Sequence, residues 1–97
     1  MHDKPRVLLI EDSIPLAHLY QEYLSDEMIE ISVATTGTEA KSKIESTPPD
    51  LIILDLMLPD ISGQDILKWI KENQFPTSVI VATGHGSVDV AVEVIRA

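Results

Sequence analysis

The sequence predicts an α/β fold, a doubly wound parallel sheet forming the middle of a three-layer sandwich, on three observations. Val7 to Ile10, Ile31 to Ala34, Leu51 to Leu54 and Val79 to Ala82 are uninterrupted apolar runs of strand length, rich in Val, Ile and Leu. Runs without polar alternation suit strands covered on both faces. The segments between them carry helical periodicity and have room for crossover helices, which parallel neighbours require. Right-handed crossovers then make 2-1-3-4 the expected strand order.

Each element has a local reason. After the first run, Leu16, Tyr20, Tyr23 and Leu24 fall at i, i+4, i+7 and i+8, with Pro15 suited to a first helical turn. The second helix opens with Thr36 and Glu39 in capping-box spacing, continues through Ala40 and Ile44, and stops at Pro48 and Pro49. The third is expected from Gly63 to Glu72, with Ile66, Leu67 and Ile70 inward and Trp69 partly buried beside them. A fourth is expected from Val88, Ala91, Val92 and Ile95 at i, i+3, i+4 and i+7, with Ser87 as its cap. The Pro59-Asp60 pair reads as a plain turn. The result is four βα units in one domain, residues 1–97.

Composition removes several function classes. With 97 residues and 44% hydrophobic, the chain has enough apolar surface for one small core. No cysteine is present, so disulfides, thiolate metal sites and thiol nucleophiles are excluded together. Lys+Arg 7 against Asp+Glu 16 leaves a formal charge of -9, which repels nucleic acid phosphates and anionic membrane surfaces. The apolar run near the N-terminus is too short for a signal peptide or a membrane span. The expectation is a soluble, cytoplasmic domain that binds neither nucleic acid nor membrane directly.

The chemistry gathers at one rim. Glu11 and Asp12 follow the first strand, Asp55 the third, and Thr83 the fourth, so their carboxyl ends bring three acids and a hydroxyl together. Adjacent strands lie about 4.8 Å apart, and two carboxylates at that range repel by roughly 3 to 4 kcal/mol at an effective dielectric of 20. A divalent cation offsets that repulsion, and an all-oxygen donor set favours Mg²⁺ or Mn²⁺. A single strand-end Asp is usually a turn former or a helix cap, but Ser13, Ser62 and Ser87 already stand at helix starts. Capping alone therefore does not account for the acids. Thr83-Gly84-His85-Gly86-Ser87 matches neither the P-loop nor the dinucleotide pattern and reads as a strand-to-helix turn. His2, His18 and His85 have no metal-ligand spacing.

VLLIEDS from Val7, PDLIILDLMLPDISG from Pro49 and VIVATGHGS from Val79 together resemble the receiver domain of two-component response regulators. The likeness runs from about Arg6 to the end, and GHGSVDVAVEVIRA is most similar to receivers attached to NtrC-like transcription activators. By position, the resemblance implies that Asp55 is the phosphoacceptor, Asp12 the direct Mg²⁺ ligand and Glu11 the second acid. Met57 would offer its backbone carbonyl to the metal, Thr83 would be the switch hydroxyl, and Gly84 would meet the phosphoryl group through its backbone. It further implies a signalling switch without turnover, phosphorylated by a sensor histidine kinase or phosphotransfer protein and controlling an output such as transcription.

The resemblance also implies a continuation into a fifth strand ending in Lys-Pro and a final helix. The sequence stops at Ala97, so the domain is read as incomplete at its C-terminus, without its output domain. An apolar fourth strand then becomes an exposed sheet edge, the inner faces of the first and fourth helices lose their cover, and a homodimer or larger assembly through that edge is expected. A haloacid dehalogenase type phosphatase would need an acid where Met57 stands, and a flavodoxin would not place two acids beside its FMN phosphate. The alternative that survives is a receiver-like interaction module that is not phosphorylated.

Overall fold

The computed structural model describes residues 4–55, 58–83 and 91–96, with positions 82, 83 and 91–96 described by their backbone. Among the described residues, five strands and three helices follow in the order β1 (Arg6–Ile10), α1 (Ile14–Tyr23), β2 (Glu30–Ala34), α2 (Gly37–Ser46), β3 (Leu51–Leu54), α3 (Gly63–Glu72), β4 (Ser78–Thr83) and β5 (Ala91–Arg96). The sheet order is β2-β1-β3-β4-β5. β1 pairs in parallel with β2 and β3, and β3 with β4, as the apolar runs require.

Reversal of strand order between β1 and β3 sends the crossovers to opposite faces. On one face, Leu8 and Ile10, Ile52 and Leu54, and Val79 and Val81 alternate inward against Ala40, Ile44, Ile66 and Ile70 of α2 and α3. Val7 and Leu9 point to the other face, where Ala17 is the buried residue of α1. The expected inward stripe of α1 differs there: Leu16 is exposed and Tyr23 is 76% exposed, while Tyr20 and Leu24 are half-buried. A ten-residue helix with only Ala17 seated against the sheet leaves Ile14, Leu16 and Leu19 facing solvent.

The caps follow their residue types. Ser13 Oγ accepts from the Leu16 amide at 3.3 Å, Thr36 Oγ1 from Glu39 at 3.1 Å, and Ser62 Oγ from Asp65 at 3.1 Å. The Glu39 carboxylate reaches back to the Thr35 amide at 2.8 Å, one residue earlier than a capping box places it. Trp69 lies 5.0 Å from Phe75 and 5.2 Å beneath the Lys41 ammonium, which ties α3 to α2.

The C-terminal segment corrects the expected fourth helix. Ala91, Val92 and Ile95 belong to β5, which runs antiparallel to β4 with Ser78 opposite Arg96 and Thr83 opposite Ala91. Val88 and Ser87 lie outside the described residues. β4 without a neighbour carries a row of unpaired backbone groups, and the β-branched Val92, Val94 and Ile95 suit a strand. Edge pairing therefore outweighs helical periodicity over 91–96. Among the described residues, three βα units are followed by the antiparallel β4–β5 pair, and β4 is not the free edge from which self-association was expected, since β5 covers it.

Candidate functional site

The ladder carries the acids past the ends of the strands. Ile10 stands opposite Leu54, the Asp55 amide donates to the Ile10 carbonyl at 3.0 Å, and the Glu11 amide donates to the Ala34 carbonyl at 3.0 Å. Glu11 and Asp55 are thereby held side by side at the point where the strand order reverses. Both are buried, at 4% and 5% exposure, whereas Asp12 turns to solvent.

Each of Glu11, Asp12 and Asp55 offers a carboxylate oxygen within 4.8 Å of the others. Oxygens around a Mg²⁺ at about 2.1 Å stand at most about 4.2 Å apart, so the trio fits a hydrated cation bound by one or two direct ligands and otherwise through water. The Glu11 carboxyl is pushed up to about 7. Burial is the largest cause, Asp55 adds hydrogen bonding and like charge, Asp12 adds a hydrogen bond, and the Ser13 amide opposes them from 3.2 Å. A carboxyl kept from ionising by burial beside a second carboxylate marks a site that gains from a cation.

The structure brings Glu11, Asp12 and Asp55 together as the strand ends demanded. Thr83 closes β4 on the same rim by its backbone, two positions beyond Val81, the ladder partner of Leu54. Met57, Gly84, His85 and His2 lie outside the described residues. Among the described residues, no helix is long and apolar enough to cross a membrane.

Two neighbours of the site were not legible as such. Tyr20 belongs to the apolar pattern of α1, yet its hydroxyl is raised above the usual phenol value, first by burial and then by the charges of Glu11 and Asp55. Its position two turns after Ser13 was the available signal. Asp60, read as a turn residue, holds α2 instead. Its Oδ1 accepts from Gly37 at 2.7 Å, and its Oδ2 accepts from the Thr38 amide at 3.0 Å and the Thr38 hydroxyl at 2.8 Å.

Comparison with known proteins agrees with this geometry. A family model described as the response regulator receiver domain matches residues 7–97. The regulatory protein LuxO of Vibrio cholerae is 42% identical over 88 residues, which cover 91% of this chain and 19% of that protein. The transcriptional regulatory protein TrcR of Mycobacterium tuberculosis is 37% identical over 83 residues, covering 86% and 32%. The chain thus spans about a fifth to a third of the length of these relatives. Among solved structures, the signal receiver domain described for a LuxO repressor protein from Vibrio parahaemolyticus superposes with a TM-score of 0.82 at 58% identity, over 89% of this chain and 66% of that one. The response regulator TrrA of Thermotoga maritima, solved in complex with Mg²⁺-BeF, gives 0.78 at 33% identity, over 84% and 71%.

Proposed function

This chain belongs to the response regulator receiver domain family, and from that premise we propose that Asp55 accepts a phosphoryl group while Glu11 and Asp12 hold Mg²⁺ beside it. The observation that carries the reading is the convergence of three carboxylates within 4.8 Å at the strand ends. A carboxylate oxygen of Asp55 attacks the phosphorus of a phosphohistidine in line. The O–P bond forms as the P–N bond breaks, and the electron pair returns to the imidazole nitrogen of the donor. The cation, when bound, offsets the repulsion of the trio and the charge developing on the phosphoryl oxygens.

The remaining roles are assigned by position in the family's motifs. Asp12, which is exposed, would hold the metal directly, and buried Glu11 would act through water. Asp55 itself and the Met57 carbonyl would help hold the metal, and the Gly84 backbone would meet the phosphoryl oxygens. Thr83 supplies the hydroxyl that closes on the new dianion and draws the end of β4 with it, turning a local charge change into a displaced surface. The donor is a sensor histidine kinase or phosphotransfer protein. LuxO and TrcR are named as regulatory and transcriptional regulatory proteins, which supports transcription as the output. The reading is of a cytoplasmic signalling switch rather than an enzyme.

Incubation with acetyl phosphate and Mg²⁺, followed by intact mass measurement, tests the proposal. The parent chain gains one phosphoryl group, and Asp55→Asn, which keeps the shape without the nucleophilic charge, gains none. Label that persists in the variant rejects Asp55. A parent that never labels favours the alternative, an interaction module that is not phosphorylated.

A further inference from the structure

A cavity of about 250 Å³ opens between the last turn of α2 and strands β1 and β2, at the end of the sheet away from the acids. It follows from the strand pattern. Arg6, Leu8 and Ile10 of β1 share the face that α2 covers, and in register beside Leu8 and Ile10 stand Ser32 and Ala34 of β2. Ala40 and Ile44 of α2 fill the space over Ile10 and Ala34, and all four are buried. Two positions back along β2, the small and exposed Ser32 fills no such space, and α2 ends over a gap.

The lining inverts the sign of the chain. The protein carries a formal charge of -9, yet among the described residues no acid lines the cavity, while Arg6 and Lys43 both do. Both cations are half-buried. Among the described residues Lys43 has no acid at ion-pair distance, and Arg6 makes a loose pair, its Nε standing 3.9 Å from the exposed Glu30 carboxylate. The Lys43 carbonyl accepts from the Thr47 amide at 3.0 Å and from the Ser46 hydroxyl at 3.2 Å, so the ammonium is not what satisfies it. The Ser32 and Thr47 hydroxyls add donors, and buried Leu8 and Pro49 add an apolar floor.

We propose that this cavity binds a small phosphate monoester, with Arg6 and Lys43 on the phosphate and Leu8 and Pro49 against its organic body. A guanidinium matches two phosphate oxygens, an ammonium supplies a point charge, and together they balance a dianion. The Ser32 and Thr47 hydroxyls donate to the oxygens that remain. A volume of about 250 Å³ lies below the usual range of pockets for drug-sized ligands, which limits the organic body to a small one. Arg6 opens β1 and Glu11 follows its end, so the five residues of β1 separate this site from the acid rim by about 16 Å at roughly 3.3 Å per residue. The site is thus a second one, and it stands whether or not Asp55 is phosphorylated.

Phenyl phosphate titrated into the isotope-labelled chain in EDTA, with amide shifts read by NMR, tests the site apart from any cation at the rim. The shifts gather at Ser32, Lys43 and Thr47 and saturate with a dissociation constant on the order of 1 mM or below. Arg6→Gln and Lys43→Gln each weaken binding about tenfold, the scale of one hydrogen bond to a charged group. Ser32→Leu keeps both charges but fills the cavity from an exposed position, so it abolishes binding while melting like the parent. Inorganic phosphate binds more weakly, having no body to lay on Leu8 and Pro49. Binding that survives in Ser32→Leu reduces the effect to diffuse charge and overturns the site, and unchanged affinity in both charge variants overturns it too. A parent without saturable shifts, or with shifts spread over the other basic residues, does the same. Equal affinity for inorganic phosphate overturns the assignment to an ester.

Discussion

Asp60 and Glu11 stand at the same end of the sheet and carry the same functional group, yet their surroundings drive them in opposite directions. Asp60 is exposed, and its carboxyl is drawn down to about 2, first by the Gly37 amide and then by the hydroxyl and amide of Thr38. Glu11 is buried, and its carboxyl is pushed up to about 7, first by burial and then by Asp55. One acid has already found its positive partners in the backbone of α2, and the other is held among acids. The difference separates a carboxylate occupied in structure from a set that still has charge to neutralise, a distinction that counting acids does not make.

The largest effect that sharpens this contrast is the pH dependence of stability without metal. Glu11 has a native value above its unfolded value of 4.5, so the native state holds the extra proton between 4.5 and about 7. Stability accordingly falls as pH rises through that window, by on the order of 3 kcal/mol at 1.36 kcal/mol per unit. Urea titrations from pH 4.5 to 7.5 in EDTA should show the fall, and Glu11→Gln should flatten it. A parent whose stability climbs across the window would place Glu11 with Asp60 rather than opposite it.

Next in size is the response to Mg²⁺. At tenfold excess over the dissociation constant, linkage gives about 1.4 kcal/mol. Melting near pH 7.5 should rise with Mg²⁺ in the parent and stay unchanged in Asp12→Ala. The smallest effect is at acid pH. Asp60 has a native value below its unfolded value of 3.8, so its contribution is present above 3.8 and lost as pH falls towards 2. Asp60→Asn should shallow that limb in acid titrations while leaving the fall between 4.5 and 7 in place.

The same contrast marks what could be read from sequence. Glu11, Asp12 and Asp55 were legible because each follows an apolar run directly, and parallel strands in register bring their ends to one rim. The order of the first four strands and the caps at Ser13, Thr36 and Ser62 follow from similarly local patterns. Asp60 was not legible as a clasp, because its donors come from Gly37 and Thr38 on another element and no periodicity links them. β5 was misread for a related reason. Ala91, Val92 and Ile95 suit a helical stripe, but Val92, Val94 and Ile95 also suit a strand, and the demand that decides between them arises at the edge of β4. On α1 the stripe of Leu16 and Tyr23 predicted burial that the single seated residue, Ala17, does not deliver.

The central place of β1 bears on the order in which the chain assembles. β1 is made first, and β2 can settle beside it early, but its second edge stays open until β3 arrives from beyond α2. Closing that longer loop is the slow entropic step of a parallel sheet. Glu11 and Asp55 meet only when it closes, so their mutual repulsion is absent from the β1–β2 unit and enters with the arrival of β3. The contact that creates the site is thus also the one its charges oppose during folding.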